Sequence, residues 1–201
     1  MKNIKVKLTF TEPVLGTWPN NPDVARDFIA SKAADASTIE QEVEAIGVDG
    51  VVEKGMTVFP RTEDGVPAFY DYQIKGFFKD TCSALARVKT TKSSGIKAFK
   101  KIIDGLIFVA PRMIPVENYD QVASCQRPLR AQTPQGERVS LANSEEIPAG
   151  ATIVFTVKLL DPEYRACLLE WLEYGELRGL GQWRNSGKGR FTYEILEEIE
   201  C

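Results

Sequence analysis

The chain has 201 residues, 43% of them hydrophobic and 26% charged, a composition that suits a globular protein with a real core. It contains no histidine, which excludes mechanisms with a histidine base and metal sites built on paired histidines. The four cysteines lie far apart and form none of the close pairs typical of zinc sites, so we expect free thiols, no metal and no cofactor.

The small net charge of −3 is unevenly distributed. Residues 61–140 carry 13 cations and 8 acids, whereas residues 1–60 and 141–201 are both acidic. Within the basic middle, residues 87–101 have six cations and no acid, a pattern typical of a solvated helix face or a flexible loop. A chain of negative net charge still binds nucleic acid where its cations converge on one groove.

The beginning of the chain predicts a strand followed by helices. Residues 3–10 alternate apolar and polar side chains, which indicates a half-buried β-strand. Because this segment has no continuous hydrophobic run, we expect neither a signal peptide nor a membrane span, and a cytoplasmic protein. Pro22 at a helix start, and the capping-box spacing of Ser37 and Glu40, predict a helical insertion over residues 17–56.

Residues 68–88 carry apolar side chains at helical spacing and predict an amphipathic helix that packs on a sheet. Lys75 and Lys79 lie off its apolar stripe. We expect Lys75 in the first turn of this helix, where backbone N–H groups are free to bind an anion. The alternative for both lysines is an ordinary position facing solvent.

The remaining elements complete an α+β pattern. The predicted strands are 51–59, 106–112, 151–160 and a last one from Phe191 to Ile195. A helix is predicted from Pro162 to about Gly175, and residues 89–145 form a basic, hairpin-like excursion. The order strand, helix, strand, strand, helix, strand is that of a ferredoxin-like (RRM-like) fold with its helices on one face of an antiparallel sheet. We expect a single domain over residues 1–201.

A glycine-rich stretch, Arg178–Phe191, joins the second predicted helix to the last strand. Four glycines and four cations share it with Trp183, and no acid interrupts it. Glycine lets a ligand approach the backbone, while arginine and lysine offer charge and donors to phosphate, so the stretch suits a grip on an anionic polymer. Its spacing fits neither a Walker loop nor a dinucleotide fingerprint. The alternative is a glycine-rich turn whose cations are only solvated.

Three stretches occur in a fixed order along the chain and at matching places in the predicted fold. They are Ile4–Gly16, then Arg61–Lys79 with Lys-Gly at a helix start, then Gly179–Gly189 before the last strand. Together they resemble the first strand, first helix and glycine-rich loop of the RAMP superfamily. These are RNA-binding proteins of CRISPR systems that include effector backbone subunits and guide-processing nucleases. The family usually has Gly-Ser-Ser where this chain has Asp71-Tyr72-Gln73. The hypothesis includes a stand-alone member carried by a phage or prophage.

The resemblance implies a non-catalytic protein that binds single-stranded RNA through its sugar-phosphate backbone; the sequence leaves DNA open. Backbone N–H groups near Gly187–Gly189 and the neighbouring cations would hold phosphates. Trp183 would either stack on a base or pack in the core. The candidate nucleic-acid-binding residues are Lys75, Lys79, Arg127, Arg130, Gly181, Trp183, Arg184, Gly187, Lys188, Gly189 and Arg190.

Other functions stay open beside this one. The chain polymerises along the nucleic acid, as backbone subunits do, or it is an interaction protein that mimics or inserts into a CRISPR effector complex. A third alternative is a metal-independent ribonuclease, although the processing nucleases of the family often rely on histidine. In some backbone subunits an aspartate after the first strand cuts target RNA. Asp23 and Asp27 fall in that region, but the surrounding pattern does not match, so we assign no catalytic residue.

Overall fold

The structure is a computed structural model that describes residues 1–20, 56–133 and 136–200. Most of the expected helical insertion 17–56, including Asp23 and Asp27, lies outside the described residues. The strands are β1 (Lys2–Phe10), β2 (Val14–Leu15), β3 (Trp18–Pro19), β4 (Thr57–Val58), β5 (Ala68–Tyr70), β6 (Ile107–Ala110), β7 (Met113–Glu117), β8 (Ala123–Thr133), β9 (Gly136–Ile147), β10 (Thr152–Leu159) and β11 (Phe191–Glu200). The α-helices are α1 (Asp71–Leu85), α2 (Phe99–Leu106), α3 (Arg165–Glu173) and α4 (Gly175–Arg178).

The chain divides into two compact units. The first unit comprises Met1–Val14, Pro60–Gln121 and Ile147–Cys201, and the second comprises Leu15–Phe59 and Val122–Glu146. The expectation of a single domain stays a prediction. Among the described residues, no helix is both long enough and apolar enough to cross a membrane.

The sheet of the first unit has β1 near its centre. β11 pairs with one edge of β1 and β10 with the other, both antiparallel. β10 pairs in turn with β6 at one end and with β7 at the other, and β5 pairs with β7. The last strand therefore lies beside the first, and an α+β fold with an antiparallel sheet is confirmed.

The core lies on the face of this sheet that α1 and α3 cover. Alternate side chains of β1, from Ile4 to Phe10, are fully buried, as the alternation of the sequence predicts. Phe78 of α1 lies 5.6 Å from Trp171 of α3 between ring centroids, and Phe77 lies 5.2 Å from Phe191 of β11. Truncating a buried aromatic of this kind typically costs about 3–5 kcal/mol, so these contacts fix both helices on the sheet.

The start of α1 corrects one sequence-based expectation. Residues 68–70 form β5 because they pair with β7, so the helix begins only at Asp71. Even with this later start, Lys75 is the fifth residue of the helix and lies just beyond its first turn, so its N–H group is not among the free donors of the helix end. Those donors also have partners within the protein: Asp71 N–H donates to the Arg112 carbonyl at 3.0 Å. An anion site at this helix end stays a prediction.

The second unit contains a five-stranded sheet in the order β2-β9-β4-β3, with β8 on β9. β8 and β9 form a long antiparallel pair from Ala123 opposite Glu146 to Thr133 opposite Gly136. This pair lies within the expected basic excursion 89–145 except for the last residues of β9, Glu146 and Ile147. The earlier part of that range belongs to the first unit, where it forms a 3₁₀ helix (Lys92–Gly95), α2, β6 and β7.

Glu170 of α3 holds the basic segment at the 3₁₀ helix. Its carboxylate accepts hydrogen bonds from the backbone N–H groups of Lys92 at 2.7 Å and Ser93 at 3.1 Å. It also accepts from the Ser93 hydroxyl at 2.6 Å, and that hydroxyl accepts from the indole N–H of buried Trp171 at 2.9 Å. The cationic stretch is thus tied to the core by one acid and is not a free loop.

We predict that Glu170→Ala lowers the free energy of unfolding by about 3 kcal/mol, because it leaves buried donors at Ser93 without an acceptor. Glu173→Ala is the matched control, since this exposed glutamate lies on the same helix, and its effect should stay within about 0.5 kcal/mol. Urea unfolding followed by circular dichroism measures both. Equal losses for the two variants would contradict the role given to Glu170.

Candidate nucleic-acid interface

The glycine-rich stretch after α4 is shaped by backbone conformations that favour glycine. Gly179, Gly181, Gly187 and Gly189 have φ angles of 75°, 85°, 89° and 73°. L-residues with a side chain avoid this region. Trp183, with φ of 56°, also adopts it and leads into a 3₁₀ helix over Arg184–Ser186.

The two ends of this stretch are held together and fixed to the sheet. Leu180 N–H donates to the Gly189 carbonyl at 2.8 Å, which closes the neck of the loop. Gly189 N–H donates to the Pro13 carbonyl, and Thr11 N–H to the Arg190 carbonyl, both at 2.8 Å. The loop is therefore anchored where β1 ends.

The crossing at the neck explains why glycine occurs there. A Cβ atom on Gly189 would lie 1.8 Å from the Leu180 carbonyl oxygen, and one on Gly179 would lie 2.6 Å from that of Lys188. No side chain fits such distances. The sequence left open whether these glycines let a ligand approach or form a turn; at these two positions glycine serves the packing of backbone on backbone.

The expected phosphate cradle of backbone amides requires a correction. Gly187 N–H donates to the Arg184 carbonyl at 3.0 Å, and Gly189 N–H is committed to Pro13. Neither amide is available to a phosphate in this conformation. The side chains of the loop are therefore the remaining candidate donors to an anion.

Two arginines of the stretch share one carboxylate from α1. Arg178 Nε and Arg184 Nη1 each donate to Asp80 Oδ2 at 2.8 Å, and Arg178 Nη1 also donates to Asn185 Oδ1 at 2.7 Å. The loop is thereby held beside α1. Because two guanidinium groups face one carboxylate, this cluster keeps a net positive charge, and each five-donor guanidinium has N–H groups beyond those in these bonds.

The electrostatics of Asp80 follow from this arrangement. Burial alone would raise the pKa of Asp80, but the hydrogen bonds and charges of Arg178 and Arg184 outweigh it and hold the pKa below its ordinary value. The same hydrogen bond raises the pKa of Arg178. Asp80 is therefore a carboxylate that positions two cations.

An open concavity of about 370 Å³ lies at this cluster. It is lined by Arg178, Gly181, Gln182, Trp183, Arg184 and Asn185. The Trp183 residue is 38% exposed, so the expected alternative of core packing does not hold. An exposed indole beside guanidinium groups offers an aromatic face next to phosphate donors.

The remaining cations of the stretch, Lys188 and Arg190, do not line this concavity. Arg190 is exposed, and its guanidinium carbon lies 3.6 Å from where a Cβ of Gly187 would be. Lys188 is half-buried. The sequence-predicted residues Gly181, Trp183 and Arg184 thus share the concavity, whereas Gly187 and Gly189 contribute backbone conformation.

The two candidate lysines of α1 form a second cluster around an acid. Lys79 Nζ lies 2.5 Å from Asp104 Oδ1, and Lys75 Nζ donates to the Asp104 carbonyl at 3.1 Å. Lys75 also lies 4.9 Å over the Phe108 ring. Burial lowers the pKa of Lys75, and Asp104 opposes this effect. Both lysines therefore have partners on α2 and β6, which differs from simple solvent-facing positions.

The candidate arginines Arg127 and Arg130 both lie on β8 in the second unit. Arg127 is only 6% exposed, and its Nη1 donates to the Ser144 hydroxyl at 3.2 Å. It was expected as a nucleic-acid-binding cation and is buried instead, on the sheet face that it shares with Ser144 of β9. Arg130 pairs opposite Val139 on β9.

Sequence reasoning missed several residues of this surface. Asp80 contacts residues about 100 positions later in the chain, and no local pattern predicts that pairing. Tyr70 and Tyr72 stand next to Arg112; Tyr72 had been noted only as part of Asp71-Tyr72-Gln73, which departs from the family pattern, and Tyr70 had not been noted. No group of three or more acids, cysteines or histidines suited to a metal ion occurs in the ranges 1–20, 56–133 and 136–200.

We predict that Gly189→Ala costs about 3 kcal/mol or more of unfolding free energy, because it combines a left-handed conformation with a clash at the Leu180 carbonyl. Gly187→Ala is the matched control in the same loop. It has a similar φ, but its nearest atom lies at 3.6 Å, so the cost should be only about 1–2 kcal/mol. Thermal unfolding of both variants tests this, and equal losses would contradict the close crossing.

A second prediction concerns pH. Asp80→Asn should lower the free energy of unfolding at pH 7 by about 1 kcal/mol, since an amide replaces a carboxylate that binds two arginines. Because the folded-state pKa is lowered, this stabilisation is present above the ordinary pKa of 3.8 and is lost as the pH falls through the folded value.

Urea unfolding from pH 7 to pH 2 should therefore show a gap between wild type and Asp80→Asn that closes in acid. Asp64→Asn, at an exposed turn position, serves as the control and should show no gap at any pH. A gap for Asp80→Asn that does not change with pH would contradict the proposed ion pairs.

Comparison with known proteins gives a likeness of fold. No protein-family model and no curated protein sequence matches this chain. Among solved structures, a chain of the cryo-EM structure described as the Type III-B Cmr-beta bound to cognate target RNA matches with a TM-score of 0.56 and 10% sequence identity. The match covers 99% of this chain and 61% of that chain, so this protein spans less than two thirds of its neighbour's length. The two chains share a fold.

Proposed function

We propose that this chain is a non-catalytic, RAMP-type protein that binds single-stranded RNA through its sugar-phosphate backbone. The observation that carries the proposal is the double hydrogen bond of Asp80 to Arg178 and Arg184. It holds the glycine-rich stretch against α1 and directs two guanidinium groups and the exposed Trp183 to one open concavity. Other RAMP-type subunits are further partners that the proposal includes.

The fold supports the proposal. The sheet order β11-β1-β10-β6 takes the strands of a β-α-β-β-α-β core as last, first, third and second, with α1 and α3 on one face. We propose that this is a ferredoxin-like core, and the glycine-rich stretch joins its second helix to its last strand. The structural neighbour is a chain of a complex described as bound to cognate target RNA, and its likeness in fold favours the same class of ligand here.

The chemistry of the concavity favours a phosphate chain over a neutral ligand. Arginine donors bind phosphate oxygens in pairs, and an exposed indole offers a stacking surface for a base. The donors come from guanidinium groups and do not read base edges, so affinity should depend little on RNA sequence. Binding should also weaken with salt, because contacts to phosphates release counterions.

The double variant Arg184→Ala with Lys188→Ala tests this. We predict that it weakens binding to unrelated single-stranded RNAs alike, on the order of tenfold at low salt, and lowers the slope of log affinity against log salt by about 1.5–2, because two cations are removed. Fluorescence anisotropy with labelled oligonucleotides measures both quantities. The control is Lys5→Ala with Lys158→Ala, which removes the same charge from exposed positions on β1 and β10.

Three outcomes bear on the proposal. Unchanged affinity of the Arg184 and Lys188 variant would remove the glycine-rich stretch from the site. An equal loss of affinity in the control variant would show that the change in net charge alone explains the effect. Tighter binding of one RNA sequence than of all others would contradict backbone recognition.

A further inference from the structure

A second surface of the first unit exposes aromatic rings. Tyr72, in the first turn of α1, and Phe108, on β6, are each 43% exposed, which is unusual for large rings of a folded core. Neither residue belongs to the concavity at the glycine-rich stretch. Exposed aromatic rings grouped with cations indicate a recognition surface.

Tyr72 is held in place by two neighbours. Its ring stacks on that of Tyr70, with centroids 5.2 Å apart and planes inclined by 16°. The Arg112 guanidinium lies 5.4 Å from the Tyr72 centroid and 5.6 Å from that of Tyr70. Arg112 also pairs with Asp71 at 2.7 Å, yet its side chain remains 69% exposed. The arrangement fixes a guanidinium beside two rings and leaves it open to solvent.

Lys75 links this group to Phe108. It follows Tyr72 by three positions on α1, so both side chains project from the same face of the helix. Its Nζ lies over the Phe108 ring at 4.9 Å, and Phe108 belongs to β6, a short distance along the chain before Arg112. We call Tyr70, Tyr72, Lys75, Phe108 and Arg112 the aromatic strip.

We infer that the aromatic strip is a base-stacking subsite for single-stranded RNA. One nucleobase stacks on Tyr72 and another on Phe108, while Arg112 contacts the phosphates that accompany them and Lys75 holds the Phe108 ring in place. The inference rests on the proposed function and adds to it a surface that engages bases. Stacking on aromatic rings tolerates any base, because every base has a π face, which agrees with binding that depends little on sequence.

A purely structural role for the strip explains less. If the cation–π contacts of Arg112 and Lys75 served only to hold α1 to β6 and β7, buried rings would do this equally well. The exposure of Tyr72 and Phe108, together with the 69% exposure of Arg112, instead leaves ring surface and donors accessible to a ligand. A docking protein is the other class of ligand for such a surface, and the experiment below separates the two.

The experiment compares two labelled strands of equal length and charge: a 12-nucleotide oligouridine and an abasic ribose-phosphate strand without bases. Anisotropy titrations use the full chain as wild type, Tyr72→Ala, Phe108→Ala and Tyr72→Phe. Leu196→Ala is the matched control, because Leu196 is 44% exposed and lies on β11. A further variant, Tyr72→Leu, keeps apolar bulk without an aromatic ring. Circular dichroism checks that each variant is folded.

We predict that wild type binds oligouridine more tightly than the abasic strand. Each alanine variant, and Tyr72→Leu, should lose about 5- to 150-fold in affinity for oligouridine and nothing for the abasic strand. Tyr72→Phe should retain wild-type affinity, since stacking needs the ring and not the hydroxyl. Leu196→Ala should change neither.

Other results separate the inference from the function on which it rests. If wild type binds both strands equally tightly, the proposed function stands and the stacking subsite is overturned. Alanine variants that bind oligouridine as wild type does would also overturn it and leave the strip to a protein partner. If wild type binds neither strand, the proposed function fails and takes the inference with it.

Discussion

Strand β1 pairs along both of its edges, and the candidate interface depends on that constraint. Its buried alternate residues fix the face on which α1 and α3 pack. Where it ends, the carbonyl of Pro13 and the N–H of Thr11 hold the last residues of the glycine-rich stretch. The loop therefore has a defined position before any side chain contributes, and the contact of Asp80 with Arg178 and Arg184 orients cations on a stretch that is already anchored.

The cations of the surface share a common arrangement, in which two basic side chains face one acid. Arg178 and Arg184 face Asp80, and Lys75 and Lys79 face Asp104. Each group is ordered by its acid and retains a positive charge. Side chains ordered before binding lose less conformational entropy when a ligand binds. This arrangement therefore favours a higher affinity than freely moving lysines and arginines would give.

Part of this structure follows from the sequence and part does not. Local periodicity predicted the strand at the start of the chain and the amphipathic helix over residues 68–88. Glycine content predicted the place of the glycine-rich stretch. The start of α1 could not be predicted, because the strand that delays it depends on pairing with β7. The burial of Arg127 and the pairing of Arg184 with Asp80 could not be predicted either, since both depend on residues distant in the chain. Gly189 was predicted as a position near which backbone N–H groups bind phosphate. In the structure its role is different, because the backbone at Gly189 crosses the backbone at Leu180.

β11 ends the sheet order of the first unit among the described strands, and its ten residues include four glutamates and no cation. Edge strands invite pairing with another chain. Two copies of β11 brought together edge to edge would align glutamate against glutamate, which disfavours that contact. The composition of this strand thus protects the protein from self-aggregation, while a lysine-rich strand from a different polypeptide would meet complementary charge along the same edge.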